Sequence, residues 1–176
     1  PHAVPPPSPL FTPAAIASAL PLIVIDAPNV AIRHGKQAKF SSRGIELAIQ
    51  YWAARGHRAV AFLPDHHLSF TKINQGDALH VADDVPLLRS LEASQRLVMT
   101  PAQAYDDSYC LAFARAHGGC VLSNDLYRDQ AELATRRGHS DGEVRAMNAW
   151  LRTHVISFTF LGDELLPNPD FVFPVG

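Results

Sequence analysis

Apolar residues along the chain gather in two patterns. Short apolar runs recur at Leu22–Ile25, Ala59–Leu63, Leu97–Met99, Cys120–Leu122 and Val155–Phe160. Runs of this length with little polar alternation suit strands covered on both faces. Between them the spacing turns helical. In SSRGIELAIQYWAARGH, Ile45, Ala48, Ile49, Trp52 and Ala53 share one face, Ser41 or Ser42 is placed to cap the start, and Gly56 to end it. DDVPLLRSLEAS, AYDDSYCLAFARAHGG and DGEVRAMNAWLRTH read as further helices, and another is expected to open near Asp125. Residues 27–40 read as a basic loop, and Pro64–Asp83 as a polar flap without a period. Strands alternating with helices predict βαβ units with right-handed crossovers, hence a three-layer α/β/α sandwich around a mostly parallel sheet. That domain is expected over residues 21–167. A proline-rich leader with a short helix occupies residues 1–20, and an apolar tail, 168–176, is expected to pack back on it.

Composition narrows the class. With 176 residues, 47% of them hydrophobic, the chain can bury one core without disulfides or a structural metal. Its two cysteines, Cys110 and Cys120, form no C-x-x-C pair, which disfavours a zinc finger and predicts buried free thiols. Free thiols fit a reducing compartment, so an intracellular location is expected, the cytoplasm before an organelle. No Lys or Arg precedes Arg33, against the charged segment of a signal or transit peptide. The longest apolar stretch is too short to span a bilayer and is broken by Pro21, so no membrane partner is expected.

Net charge is −2, which announces no polyanion. Its distribution says more. Arg33, His34, Lys36, Lys39 and Arg43 fall between Ala27 and Ile45, where no acid occurs, and such a stretch can attract phosphate. The acids sit elsewhere: Asp26 ends the first strand, Asp106 and Asp107 open the helix after the third, and Asp125 and Asp129 follow the fourth. All lie toward the carboxyl ends of the strands, where open α/β sheets carry their ligands. If a helix starts at Asp125, it and Asp129 share a face. Gathered carboxylates repel, and a hard divalent cation such as Mg²⁺ or Mn²⁺ relieves that conflict. Each acid also has a plain structural reading. Asp106 can cap its helix, Asp107 and Asp125 can complement helix dipoles, and Asp129 can pair with Arg128 or Arg136. Asn29, Ser123 and Asn124 either serve the pocket or shape turns. His66 and His67 read as exposed loop histidines, and Tyr105 and Tyr127 as core or rim packing.

Together, VIDAPNVAIRHG, FSSRGIELAIQYWAARGHR, YDDSYCLAFARAHGGCVLSNDLYRD and FTFLGDELLP resemble the NYN/PIN-like ribonuclease domain of the Regnase (Zc3h12-type) family, over about residues 22–167. The resemblance implies a PIN-like sandwich and Mg²⁺-dependent endonucleolytic hydrolysis of single-stranded or stem-loop RNA, leaving a 5′-phosphate, with Mn²⁺ able to substitute. It carries the catalytic metal-binding acids onto Asp26, Asp107, Asp125 and Asp129, with Asp106 in support and Asp107 or Asp129 as base. It assigns substrate contacts to Asn29, Arg33, Lys36, Lys39, Arg43, Ser123 and Asn124. An additional RNA-targeting domain or partner protein is expected, since the chain holds no CCCH finger, and self-association stays open.

Two other classes compete. A catalytically silent NYN domain that binds RNA or protein is disfavoured by the complete set of acids. A phosphotransfer or phosphatase domain is disfavoured because Ala27 and Pro28 follow Asp26 where a D-x-D pattern is needed, and Thr100 and Pro101 follow the third strand where a phosphoacceptor is needed. A dinucleotide site would need G-x-G-x-x-G after the first strand, and none occurs.

Overall fold

The computed structural model describes residues 20–68, 78–101, 107–128 and 140–174. In chain order they form β1 (Ile23–Asp26), α1 (Ala27–His34), α2 (Ser42–Ala53), β2 (Ala59–Pro64), a 3-10 turn (Asp65–Leu68), α3 (Val85–Ala93), β3 (Leu97–Thr100), α4 (Asp107–Ala116), β4 (Cys120–Leu122), α5 (Asp141–His154), β5 (Val155–Ile156), β6 (Phe158–Leu161) and β7 (Glu164–Pro167). The expected leader lies outside the described residues but for Leu20, as do residues 69–77 of the expected flap, whose described ends are Pro64 of β2, the 3-10 turn and residues 78–83.

Five strands make one parallel sheet in the order β3-β2-β1-β4-β5. Alternation along its strands builds two cores. Ile23, Ile25, Ala61 and Leu63 pack with α1, α2 and α3 on one face, while Val24, Val60, Phe62 and Val121 meet Leu111 and Ala114 of α4 and Leu151 of α5 on the other. The sandwich expected from the sequence is therefore present, three layers deep. No described helix is long and apolar enough to cross a membrane. Both cysteines are buried and free, and burial pushes the Cys120 thiol up to about 12.

Two expectations need correction. The stretch after Asp26 is a helix before it is a loop. Asp26 caps α1 through its side chain, and Pro28 sits in the first turn, where its missing N–H costs nothing. Ala27, Val30 and Ala31 then face the core. The second correction concerns VISFTF, expected as one strand. It breaks at Ser157: Val155–Ile156 finish the parallel sheet, and Phe158–Leu161 turn away to pair antiparallel with β7. Gly162, at φ 58°, supplies the left-handed residue of that hairpin's two-residue turn. The tail packs back as expected, with Phe171 and Phe173 against the core and Phe173 stacked 5.0 Å from His57.

Candidate active site at the carboxyl ends of the strands

Strand order reverses between β1 and β4, the switch point at which open α/β sheets carry a ligand crevice beyond the strand ends. Asp26 stands at its edge. The residue is 7% exposed, an uncommon setting for a carboxylate. It is held by donors from both sides of the crevice. The Asn29 N–H donates to Oδ1 at 3.3 Å, and the Ser123 hydroxyl to Oδ2 at 2.7 Å. The Tyr127 hydroxyl lies 3.4 Å from the same Oδ2. Hydrogen bonds of this kind fix the direction of the carboxylate.

The turn after β4 is built around the same group. Ser123 is wholly buried, and its hydroxyl also accepts the Asp125 N–H at 3.0 Å, joining the Asp125 backbone to Asp26. Asp125 is exposed and accepts the Tyr127 N–H on Oδ1 at 2.7 Å, closing an Asx turn. Tyr127 then adopts φ 49°, in the left-handed region. Residues 125–127 are consequently not helical, and the expected helix start at Asp125 is wrong by about one turn. The shared-face argument for Asp125 and Asp129 loses its premise. Asp129 itself lies outside the described residues, as does Asp106. Asp107 opens α4, which packs on β1, and its side chain also lies outside the described residues.

Asn29 and Asn124 are the fasteners of this corner. The Asn29 side-chain oxygen accepts the Asn124 N–H at 3.0 Å. The Asn124 carboxamide donates to the Phe158 carbonyl and accepts the Phe158 N–H, both at 2.9 Å. Its substrate role in the sequence reading thus meets a competing structural one, the anchoring of β6. Tyr127 is 2% exposed, which bears out packing and adds a hydroxyl directed at Asp26.

Beside Asp26 a cavity of about 210 Å³ is lined by Thr100, Cys110 and three histidines, His66, His67 and His80, among others. The expectation of exposed histidines is corrected here. His67 is 3% exposed, with its Nδ1–H donating to the His80 carbonyl at 2.8 Å, and His66 is half-buried. The available signal was position: both directly follow the end of a buried strand, on the ligand-bearing edge of the sheet. The contacts of His67 come from His80 and from Phe40, 5.1 Å away, which local sequence does not reveal.

The basic residues divide into two pairs. Arg43 bonds Glu46 and has Asp163 at 3.6 Å; its pKa is raised first by the Glu46 hydrogen bond, with the charges of Glu46 and Asp163 adding. Lys39 lies 3.9 Å from Asp83. Acids distant in sequence therefore offset half of a stretch that contains none. Arg33 and Lys36 have no ion pair among the described residues. Arg33 sits seven residues past Asp26 on α1, about 10 Å along the axis. His34 reaches Ser41 at 2.8 Å and Asp163 at 3.2 Å, tying the hairpin turn to α1.

A family model for the Zc3h12a-like ribonuclease NYN domain matches residues 19–172, which takes in the whole sheet and the Asp26 crevice. The chain belongs to this family. The NYN domain also resembles two solved structures of nuclear protein-only RNase P 2 (PRORP2) from Arabidopsis thaliana. Each gives a TM-score of 0.60 at 17% identity, covering 88% and 90% of this chain. The chain spans 31% and 32% of the length of those proteins. At that identity the likeness is one of fold, and it agrees with the parallel sheet and its helices. Among the described residues of this NYN domain no three metal-ligating groups converge, and of the four proposed acids only Asp26 and Asp125 have described side chains.

Proposed function

We propose that this NYN domain is a Mg²⁺-dependent endoribonuclease that cuts single-stranded or stem-loop RNA at Asp26. One observation carries the reading: a buried carboxylate at the strand-order switch, oriented by hydroxyl and amide donors, lines a cavity that extends from it over the ends of β2 and β3. The donor set suits a hard cation. On this reading the cation is held by Asp26, Asp107, Asp125 and Asp129, oxygen ligands of the kind such an ion takes, with Asp106 in support. A divalent cation held there supplies charge for the phosphoryl oxygens and a lowered pKa for an attacking water.

The protein's own contribution is placement. Ser123 and Asn29 keep the Asp26 carboxylate from turning, so little reorganisation is needed when a phosphodiester arrives. Asp107 or Asp129 takes the proton of the attacking water. Attack at phosphorus expels the 3′ oxygen and leaves a 5′-phosphate on the downstream fragment. Cleavage of a fluorescent single-stranded RNA is expected with Mg²⁺ or Mn²⁺ and not with EDTA, while the matched DNA stays intact. No cutting by folded protein with either metal would leave a binding module in its place.

Arg33 and Lys36 are the cations best placed for the RNA backbone, because Lys39 and Arg43 already face carboxylates. Substituting both by Gln should flatten the dependence of log affinity on log salt by about 1.4, at about 0.7 per phosphate contact on single strands. The Lys39→Gln, Arg43→Gln pair should change it less. Anisotropy titrations in EDTA read both, and equal slopes for all three proteins would remove α1 from the RNA path.

A further inference from the structure

The cavity beside Asp26 holds more aromatic surface than carboxylate chemistry requires. Pro28, Ile32 and Phe62 give it apolar walls, and three imidazoles complete them. The rings of His66 and His67 have centroids 4.3 Å apart at 33°. Those of His67 and His80 are 6.3 Å apart and only 23° from parallel. Exposure rises from buried His67 to half-buried His66 to exposed His80, so the rings step outward from the core to the mouth. The innermost ring is fixed by its hydrogen bond to the His80 carbonyl and its contact with Phe40. That bond also commits the Nδ1 of His67 as a donor, and among the described residues the three rings form no metal-ligating group.

Such a wall suits a flat heteroaromatic ring. The cavity, at about 210 Å³, exceeds the ~150 Å³ that holds benzene in an engineered protein core. Unpaired RNA bases are recognised by stacking on aromatic side chains, histidine included, and a base in a duplex cannot leave its stack without an energetic cost. Depth matters too, because the wall and the Asp26 carboxylate line one cavity. A base seated there belongs to a nucleotide next to the phosphodiester at Asp26.

We propose that the His66–His67–His80 wall is a nucleobase subsite, which receives one unpaired base flanking the scissile phosphate and thereby selects single-stranded over paired RNA. The proposal rests on the nuclease reading for the position of the phosphate, and its test does not require cleavage. Binding of a fluorescent single-stranded RNA is measured by anisotropy in EDTA, beside the same strand carrying an abasic residue at each position in turn. Wild type should prefer the intact strand over one abasic variant by roughly 5- to 100-fold, the usual worth of one stacked base. The double variant His66→Ala, His80→Ala should erase that gap while binding the abasic strand as wild type does. His80 is exposed and His66 half-buried, so a melting curve on each variant checks that the fold is kept, and buried His67 is left in place. Phe at both positions should restore the gap. A gap undiminished in the Ala variant, or Phe performing no better than Ala, would overturn the subsite. RNA cutting with an undiminished gap would sink the subsite alone; a His-dependent gap in a protein that never cuts would sink the nuclease reading alone.

Discussion

Asp26→Asn is expected to slow RNA cleavage at least about a thousand-fold in a protein that remains folded. The magnitude follows from charge. A carboxylate that holds a catalytic cation accounts for several kcal/mol of transition-state stabilisation, and about 4 kcal/mol is a thousand-fold in rate. Folding survives because Asn is as good an N-cap as Asp, so α1 keeps its start. The carboxamide oxygen can still accept from Ser123 or from the Asn29 N–H. Single-turnover cleavage and a thermal melt together decide. A melting temperature within about 4 °C of wild type, roughly 1 kcal/mol in a domain this size, is expected. Undiminished cleavage would remove Asp26 from the metal centre.

Asn124→Ala should have the largest effect on stability. Its carboxamide satisfies both backbone groups of Phe158, a residue 6% exposed. Removing it strands a donor and an acceptor at the point where β6 leaves the main sheet. Each such group costs about 1–3 kcal/mol when buried without a partner. A combined loss of about 2–4 kcal/mol lowers the melting temperature by roughly 5–15 °C. Asn124→Asp, which keeps an acceptor for the Phe158 N–H and loses the donor, should fall between. An Ala variant that melts like wild type would mean that the hairpin is held by its apolar contacts alone.

The parallel sheet was legible because its strands are short, apolar and mostly buried, though Phe158–Phe160 shares that pattern and lies outside the sheet. α2 was legible because Ile45, Ala48, Ile49 and Trp52 recur at helical spacing and are buried, although Ala53, read onto the same face, is exposed. α1 was not, since eight residues containing a proline and two terminal cations resemble a loop until Asp26 is recognised as their cap. The break at Ser157 depends on Asn124 seizing Phe158 from 34 residues away, which no local rule contains. A hint did exist, for Gly-Asp between Phe158–Leu161 and Glu164–Pro167 is a hairpin signal. In the site, Asp26 was the acid least open to a plain structural reading; of the two acids with described side chains it is the buried and oriented one, although it also caps α1. The Asp125–Asp129 argument failed because Tyr127 adopts a left-handed conformation with no glycine to announce it. The histidine wall was hidden for a third reason: its burial comes from Phe40 and His80, and the sequence between His67 and His80 reads only as polar.

The hydrogen bonds that tie the Asp26 corner to the turn after β4 span about two-thirds of the domain. Ser123 and Tyr127 lie 97 and 101 residues from it, and Asn29 meets Asn124 across 95. Contacts this distant are slow to form, because a long loop must close before any of them rewards it. During synthesis at about 5–20 residues per second, β1 and β2 emerge several seconds before β4 can be inserted beside β1. The carboxylate is therefore made early and oriented last. On the proposed reading, a growing chain carries the principal acid of a nuclease for that interval without the groups that aim it, so its chemistry is deferred until β4 is in place.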